Sequence, residues 1–228
     1  MIPTKAKEVI RDFVFGMEDG LVSNLGLVLG VYVGGGDTFT IILAGFASMF
    51  TGAFSMSAGS YLSSKSQREV YEHEIDETNQ ELKKNPKKCY VDMRAALMSE
   101  GLGKKEIDLL FKKSSKYQHS QFVCNYMVQK KVGISKEKLE APLKNALAMF
   151  FSFLIGSAFP ITPFLFLPLM LAAVTAAALT IVALFGVGWA KSSFTKISWF
   201  KSGLEVVLIG LGAGVIGYLV GLVVSHLG

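Results

Sequence analysis

Asp19 sits inside a long apolar run, where a carboxylate costs about 2.5–3.5 kcal/mol to retain if the segment crosses a bilayer. A residue kept against that cost is a candidate for ion binding or proton transfer. Glu18 precedes it, and Met56 lies in the next apolar run. A carboxylate oxygen and a thioether sulfur together suit a borderline transition metal, because magnesium and calcium prefer oxygen ligands alone. That pair leaves Fe(II), Mn(II), Co(II) and Zn(II) open as transported ions, with no tightly bound cofactor. The plainer readings are a carboxylate snorkelling near an interface and a methionine filling a core gap.

A second group lies in the charged middle of the chain. Glu69, Glu72, His73 and Asp76 follow i, i+3, i+4, i+7 spacing and share one helical face. Such a face can hold a metal, or it can be a solvated acidic stripe balanced by nearby lysines. Cys89 and Cys124, with His73 and His119, show no CxxC or HxxxH spacing, which argues against a zinc site. No nucleophile elbow, paired catalytic carboxylates or phosphate-cradling loop appears, so an enzyme is not expected.

The elements that must position these residues are membrane helices. The chain has 228 residues, 51% of them hydrophobic and 18% charged, and the two kinds are segregated. Residues 13–64 carry only Glu18, Asp19 and Asp37, whereas residues 65–144 carry 17 Lys/Arg and 12 Asp/Glu. A bilayer core needs about 20 apolar residues per helix, because every backbone polar group must be satisfied internally. Five stretches qualify: Phe13 to Val33, Phe39 to Ser63, Leu143 to Ile161, Phe164 to Gly188 and Gly203 to Val224. The predicted fold class is an all-α integral membrane protein. A helical domain is inserted between helices 2 and 3, giving segments 1–64, 65–141 and 142–228. Glu18 and Asp19 interrupt what would be the apolar region of a cleavable signal peptide, so helix 1 is expected to persist.

Basic residues fall only in alternate loops. Lys5, Lys7 and Arg11 precede helix 1, 17 lie between helices 2 and 3, and Lys191, Lys196 and Lys201 lie between helices 4 and 5, which accounts for all 23. The positive-inside rule then places the N-terminus and the insert in the cytoplasm and the C-terminus outside. The high pI follows from topology, and no aromatic-interleaved basic patch points to nucleic acid. Both cysteines fall in the insert, where thiols stay reduced.

Gly34-Gly35-Gly36-Asp37 is short enough to force an antiparallel hairpin of helices 1 and 2. Counting inward from Phe13 and Ser63 puts Asp19 and Met56 at one depth, about 10 Å into the bilayer. Small residues crowd both helices, among them Gly16, Gly20, Gly26 and Gly30 on the first and Gly45, Gly52 and Gly59 on the second. Such spacing predicts close backbone approach, and dimerisation through these faces. Helix 5 carries a further glycine stripe, a packing seam without the preceding strand of a nucleotide loop. Helix 2 continues without a break through Lys84 and ends at Asn85-Pro86, followed by insert helices near Lys87–Glu100, Lys104–Tyr117 and Gln121–Lys131.

Three segments then resemble the vacuolar iron transporter family, related to the yeast calcium-cross-complementer iron/manganese transporters. They are Phe15-Gly16-Met17-Glu18-Asp19-Gly20-Leu21-Val22-Ser23-Asn24, the helix 2 stretch from Ala44 through Ser55-Met56-Ser57-Ala58-Gly59-Ser60, and Ser66-Gln67-Arg68-Glu69. The resemblance implies a homodimeric Fe(II) or Mn(II) exporter that exchanges metal for protons along a path near the dimer axis. The membrane would be vacuolar in a eukaryote and the cell membrane in a microbe. Carried over by position, Asp19 and Met56 line the path, with Glu18, Asn24 and Ser60 beside it; many relatives have Glu in place of Ser60.

The family's insert collects metal on glutamate pairs spaced i, i+3. Here those positions read Thr78 with Glu81 and Cys89 with Asp92, and Met127 is followed by Val128-Gln129-Lys130-Lys131. The metal ligands this implies, Glu81, Cys89, Asp92 and Met127, are thus depleted in carboxylates and joined by repelling lysines, while Glu69 and Glu72 remain candidates by the spacing above. The rival reading is a non-transporting membrane protein of the same fold whose basic insert binds a protein or anionic lipid.

Overall fold

The computed structural model describes residues 4–112, 126, 130, 142–195 and 197–227. These are helical throughout, with no strand among the described residues. In chain order the helices are α1 (Thr4–Val33), α2 (Thr38–Lys84), α3 (Pro86–Ser99), α4 (Lys104–Lys112), α5 (Pro142–Ile161), α6 (Pro163–Phe166), α7 (Leu169–Thr195) and α8 (Trp199–Ser225). Five stretches are long and apolar enough to cross a membrane: Val9–Val33, Thr38–Glu81, Pro142–Ile161, Leu169–Ser193 and Trp199–Ser225.

The chain divides into two compact units, Met1–Leu62 with Pro142–Gly228, and Ser63–Ala141. In the first, α1 is the central helix. Its glycines seat two other helices. A Cβ on Gly16 or Gly20 would run into Ser152, Met149, Phe153 or Ser157 of α5, and one on Gly26 or Gly30 into the backbone of Ala213 or Gly217 on α8. Small residues are spent on these contacts because only they let helix backbones touch in an apolar medium, where dispersion and packing replace the hydrophobic drive.

No described helix packs its backbone along α2 as α5 and α8 pack along α1. Its links are side chains, with the Phe153 ring beside Gly52 and Ile161 beside Gly45. Its outer face stays exposed at Phe39, Leu43, Phe50 and Phe54. Gly45 and Gly52 thus seat α5 side chains, whereas a Cβ on Gly59 would meet nothing within 4 Å.

The turn between α1 and α2 needs Gly35, whose φ of +87° lies in the left-handed region that penalises a Cβ. Asp37 then caps α2, accepting the Thr40 N–H at 2.8 Å. Helix 4 of the sequence reading also shifts. α5 runs through Pro160 to Ile161, short α6 follows, and α7 starts only at Leu169, after Pro168. Two prolines five residues apart, each lacking an N–H, break the chain there and postpone the long helix.

In the second unit, α3 begins behind Asn85, whose side chain accepts from Lys88 N–H. Gly101 at φ +95° ends it. Tyr71, Thr78, Met93, Leu97 and Ile107 form its buried positions, and Arg94 pairs with Asp108 between α3 and α4.

Candidate functional site

The site can be built from one hydrogen bond. Asp12, only 4% exposed, accepts from the Ser60 hydroxyl at 3.0 Å and pairs with neighbouring Arg11 at 3.0 Å. Asp12 lies 21 residues before the end of α1 and Ser60 lies 22 after the start of α2. The bond therefore fixes the register of the hairpin.

Asp19 is seven residues beyond Asp12, so it lies on the same stripe of α1, about 10.5 Å farther along. Met56 precedes Ser60 by four and shares its stripe of α2. The Asp12–Ser60 bond joins the two stripes at that level, and one turn on, Gly16 is taken up by Ser152 of α5. Asp12 with Ser60, then Met56, then Asp19 follow one another in depth along this seam. Counted from that bond, Met56 falls level with Gly16, three residues or about 4.5 Å short of Asp19. Both side chains are partly buried. The Asp19 carboxylate makes no hydrogen bond or ion pair with another described residue; only its backbone carbonyl is used, accepting from Ser23 at 2.5 Å. A half-buried carboxylate without a protein partner is suited to take a cation or a proton.

Asp12 was not singled out in the sequence, although its spacing from Asp19 was visible there. Its signal is the i, i+7 relation, which becomes informative only once a partner at Ser60 shows which way the stripe faces. Glu18 and Asn24 lie off the seam. Glu18 is one residue, about 100°, round the helix, where the charges of Lys191 on α7 and Glu205 on α8 reach it. Those two residues pair at 3.8 Å. Asn24 is fully buried between α1 and α5, donating to Ser157 Oγ at 2.8 Å and Gly20 carbonyl at 3.3 Å.

The acidic face of the insert is engaged by its own basic residues. Lys65 reaches Glu69 at 3.6 Å, Arg68 bonds Glu72 at 2.8 Å, and His73 lies 3.6 Å from Glu77. All three are exposed i, i+4 pairs, the geometry of a solvated helix face. Glu81 and Asp92 are exposed, while Thr78 is buried where the resemblance expects a glutamate. Met127, His119, Cys124 and the Cys89 side chain lie outside the described residues. Lys130 pairs with Glu100 at 3.5 Å. Among the described residues, no three His, Cys, Asp or Glu side chains gather closely enough to hold a metal.

Five apolar helices, one of them the carboxylate-bearing α1, define a polytopic helical membrane protein. The family model described as VIT family matches residues 10–222, and the chain belongs to that family. It is 29% identical to vacuolar iron transporter 1 of Eucalyptus grandis over 90% of this chain and 82% of that one. It is 27% identical to vacuolar iron transporter 1 of Arabidopsis thaliana over 97% and 88%. Protein CCC1 of Saccharomyces cerevisiae is 22% identical over 89% of this chain and 65% of its own length. The family is one of transporters, not enzymes.

Proposed function

We propose that this protein carries Fe(II) or Mn(II) across a membrane and out of the cytosol in exchange for protons, using the seam of Asp12, Ser60, Met56 and Asp19. The observation that carries the reading is a half-buried Asp19 carboxylate with no partner among the described residues, on the α1 stripe of Asp12, whose bond to Ser60 lies about one turn from Met56 on α2. Oxygen and sulfur together favour a borderline transition metal, and the Eucalyptus grandis and Arabidopsis thaliana relatives are iron transporters by name.

One chain offers too few ligands for a tight site, which suits an ion that must also leave. α2 has no backbone packed along it, so a second copy completing the wall of the seam accounts for its exposed surface. The confinement of all 23 Lys/Arg to the N-terminal segment and loops 2–3 and 4–5 orients the insert toward the cytosol, and hence entry from that side. Proton exchange follows from the same carboxylate: a bound cation favours its ionised form, and a proton competes for it.

Metal uptake by proteoliposomes, with and without a pH gradient, tests this directly. Gradient-stimulated Fe(II) or Mn(II) uptake that Asp19→Asn removes is the expected result. Asp19→Asn protein that transports at the wild-type rate with unchanged pH dependence would put the mechanism wrong at its centre. Absence of any metal flux in correctly folded wild-type protein would favour the non-transporting reading of the basic insert.

A further inference from the structure

Two side-chain oxygens in the middle of the membrane helices lack a partner although both residues are 0% exposed: Asn24 Oδ1 on α1 and Thr180 Oγ1 on α7. The assignment of the amide follows from its neighbour. Ser157 donates its hydroxyl to Phe153 carbonyl at 2.7 Å and is left as an acceptor, so Asn24 must turn Nδ2 toward it and Oδ1 away.

The packing places these two oxygens at one depth. Leu21 of α1 and Leu184 of α7 belong to one packed cluster, and Val28 and Ala176 belong to another. The helices run in opposite directions, so the α7 position midway between Ala176 and Leu184 lies level with the α1 positions midway between Leu21 and Val28. The first is Thr180, on the same face as both α7 residues at i, i+4 spacing. The second is Asn24 with Leu25, and Leu25 is taken up by Gly214 of α8.

We infer that Asn24 and Thr180, braced by Ser157, form an internal hydration site that holds a water molecule between α1, α5 and α7. The donor set decides the ligand. An amide oxygen accepts one hydrogen of a water, and a threonine hydroxyl either donates to its oxygen or accepts its other hydrogen. A buried water typically satisfies two to four such groups. Two oxygens are too few for a hard cation, which wants six or more, and neither residue supplies the charge a transition metal would favour. An unpaired amide oxygen or hydroxyl in hydrocarbon is costly, and the water removes both costs at once. Asn24 also holds the Gly20 carbonyl, next to Asp19 in sequence. The water therefore ties α7 to the stretch of α1 that presents the seam, and Thr180 and Asn24 are positioning residues.

The sign of one stability change tests the site. Thr180→Val keeps the shape and removes the hydroxyl. With a water bridging to Asn24, the substitution strands that water and the amide oxygen, and the Tm of the purified full chain falls by about 2–4 °C. If Thr180 has no partner, the same substitution deletes an unsatisfied group and the Tm is unchanged or rises, which overturns the proposal. Thr180→Ser retains the hydroxyl and recovers part of the Tm lost in Thr180→Val; failure to do so assigns the loss to packing and likewise overturns it. An experimental structure at a resolution that shows ordered water separates the remaining case. Density within hydrogen-bond distance of both Asn24 Oδ1 and Thr180 Oγ1 supports the site. A direct Asn24–Thr180 bond, or dry apolar packing between them, refutes it.

Discussion

Asp19 and Met56 have different duties on the proposed seam, and their variants separate them. Asp19→Asn keeps the volume and removes the charge, so transport in proteoliposomes should fall to near background with little loss of folded protein. Met56→Leu keeps the bulk and removes the sulfur, so flux should persist while preference shifts from iron toward manganese, the harder of the two ions. A competition assay with both metals reads that shift directly. Asp12 is already balanced by Arg11 and bonded to Ser60. Ser60→Ala should therefore weaken the α1–α2 register and slow transport less severely than Asp19→Asn. Equal losses would mean that Ser60 itself is a ligand.

Elements are held by glycines at some positions and are indifferent to them at others. A Cβ on Gly217 would strike the backbone of Gly26, which cannot rotate away, whereas one on Gly212 meets nothing within 4 Å. Gly217→Ala should cost about 1–3 kcal/mol through overpacking. Gly212→Ala should be neutral or slightly stabilising through helix propensity, with thermal denaturation in detergent comparing the two. At the start of α2, the Thr40 hydroxyl and then its backbone N–H hold the exposed Asp37 carboxyl below its ordinary value. A depressed folded value means that the cap is fully present above the unfolded carboxylate range and is lost as pH falls through the folded value. Protection of the Thr40 amide, taken relative to its intrinsic exchange rate at each pH, should thus fall on acidification, and in Asp37→Ala it should be low throughout.

At the scale of the whole molecule, the apolar outer face of α2 and the ion-paired face of the insert lead to separate expectations. The protein should run as a specific dimer in mild detergent and in bilayers, since among the described residues α2 is the one membrane-length helix without a neighbour along its backbone. Helix 1, whose glycines are occupied by α5 and α8, should contribute less to that dimer than its sequence suggests. A strict monomer in both environments counts against the seam being completed by a second copy. The insert should bind metal weakly, because Lys65 and Arg68 already hold Glu69 and Glu72. Calorimetry on full-length Asp19→Asn protein, which removes the membrane carboxylate, tests this. Submicromolar Fe(II) or Mn(II) binding that Glu81→Ala and Asp92→Ala abolish would show that the remaining carboxylates suffice.

Much of this architecture was legible before any coordinates. The five spans follow from local composition, because satisfying backbone groups in lipid constrains each segment by itself. The long extension of helix 2 to Lys84 follows from the absence of Gly or Pro punctuation, and the candidacy of Asp19 from its cost in an apolar run. What a glycine touches was not legible. Gly16, Gly20, Gly26 and Gly30 advertise close approach without naming the partner, and only the tertiary structure assigns them to α5 and α8 instead of α2. The same holds for direction and depth around a helix. Glu18 and Asp19 are neighbours in sequence, yet about 100° of rotation sends one toward Lys191 and Glu205 and the other along the stripe of Asp12. Register too is a property of pairs: the Asp12–Ser60 bond joins α1 and α2 across 48 residues. Composition acts on each segment alone, whereas packing partners, facing and register depend on contacts between distant segments, and these exist only in the folded chain.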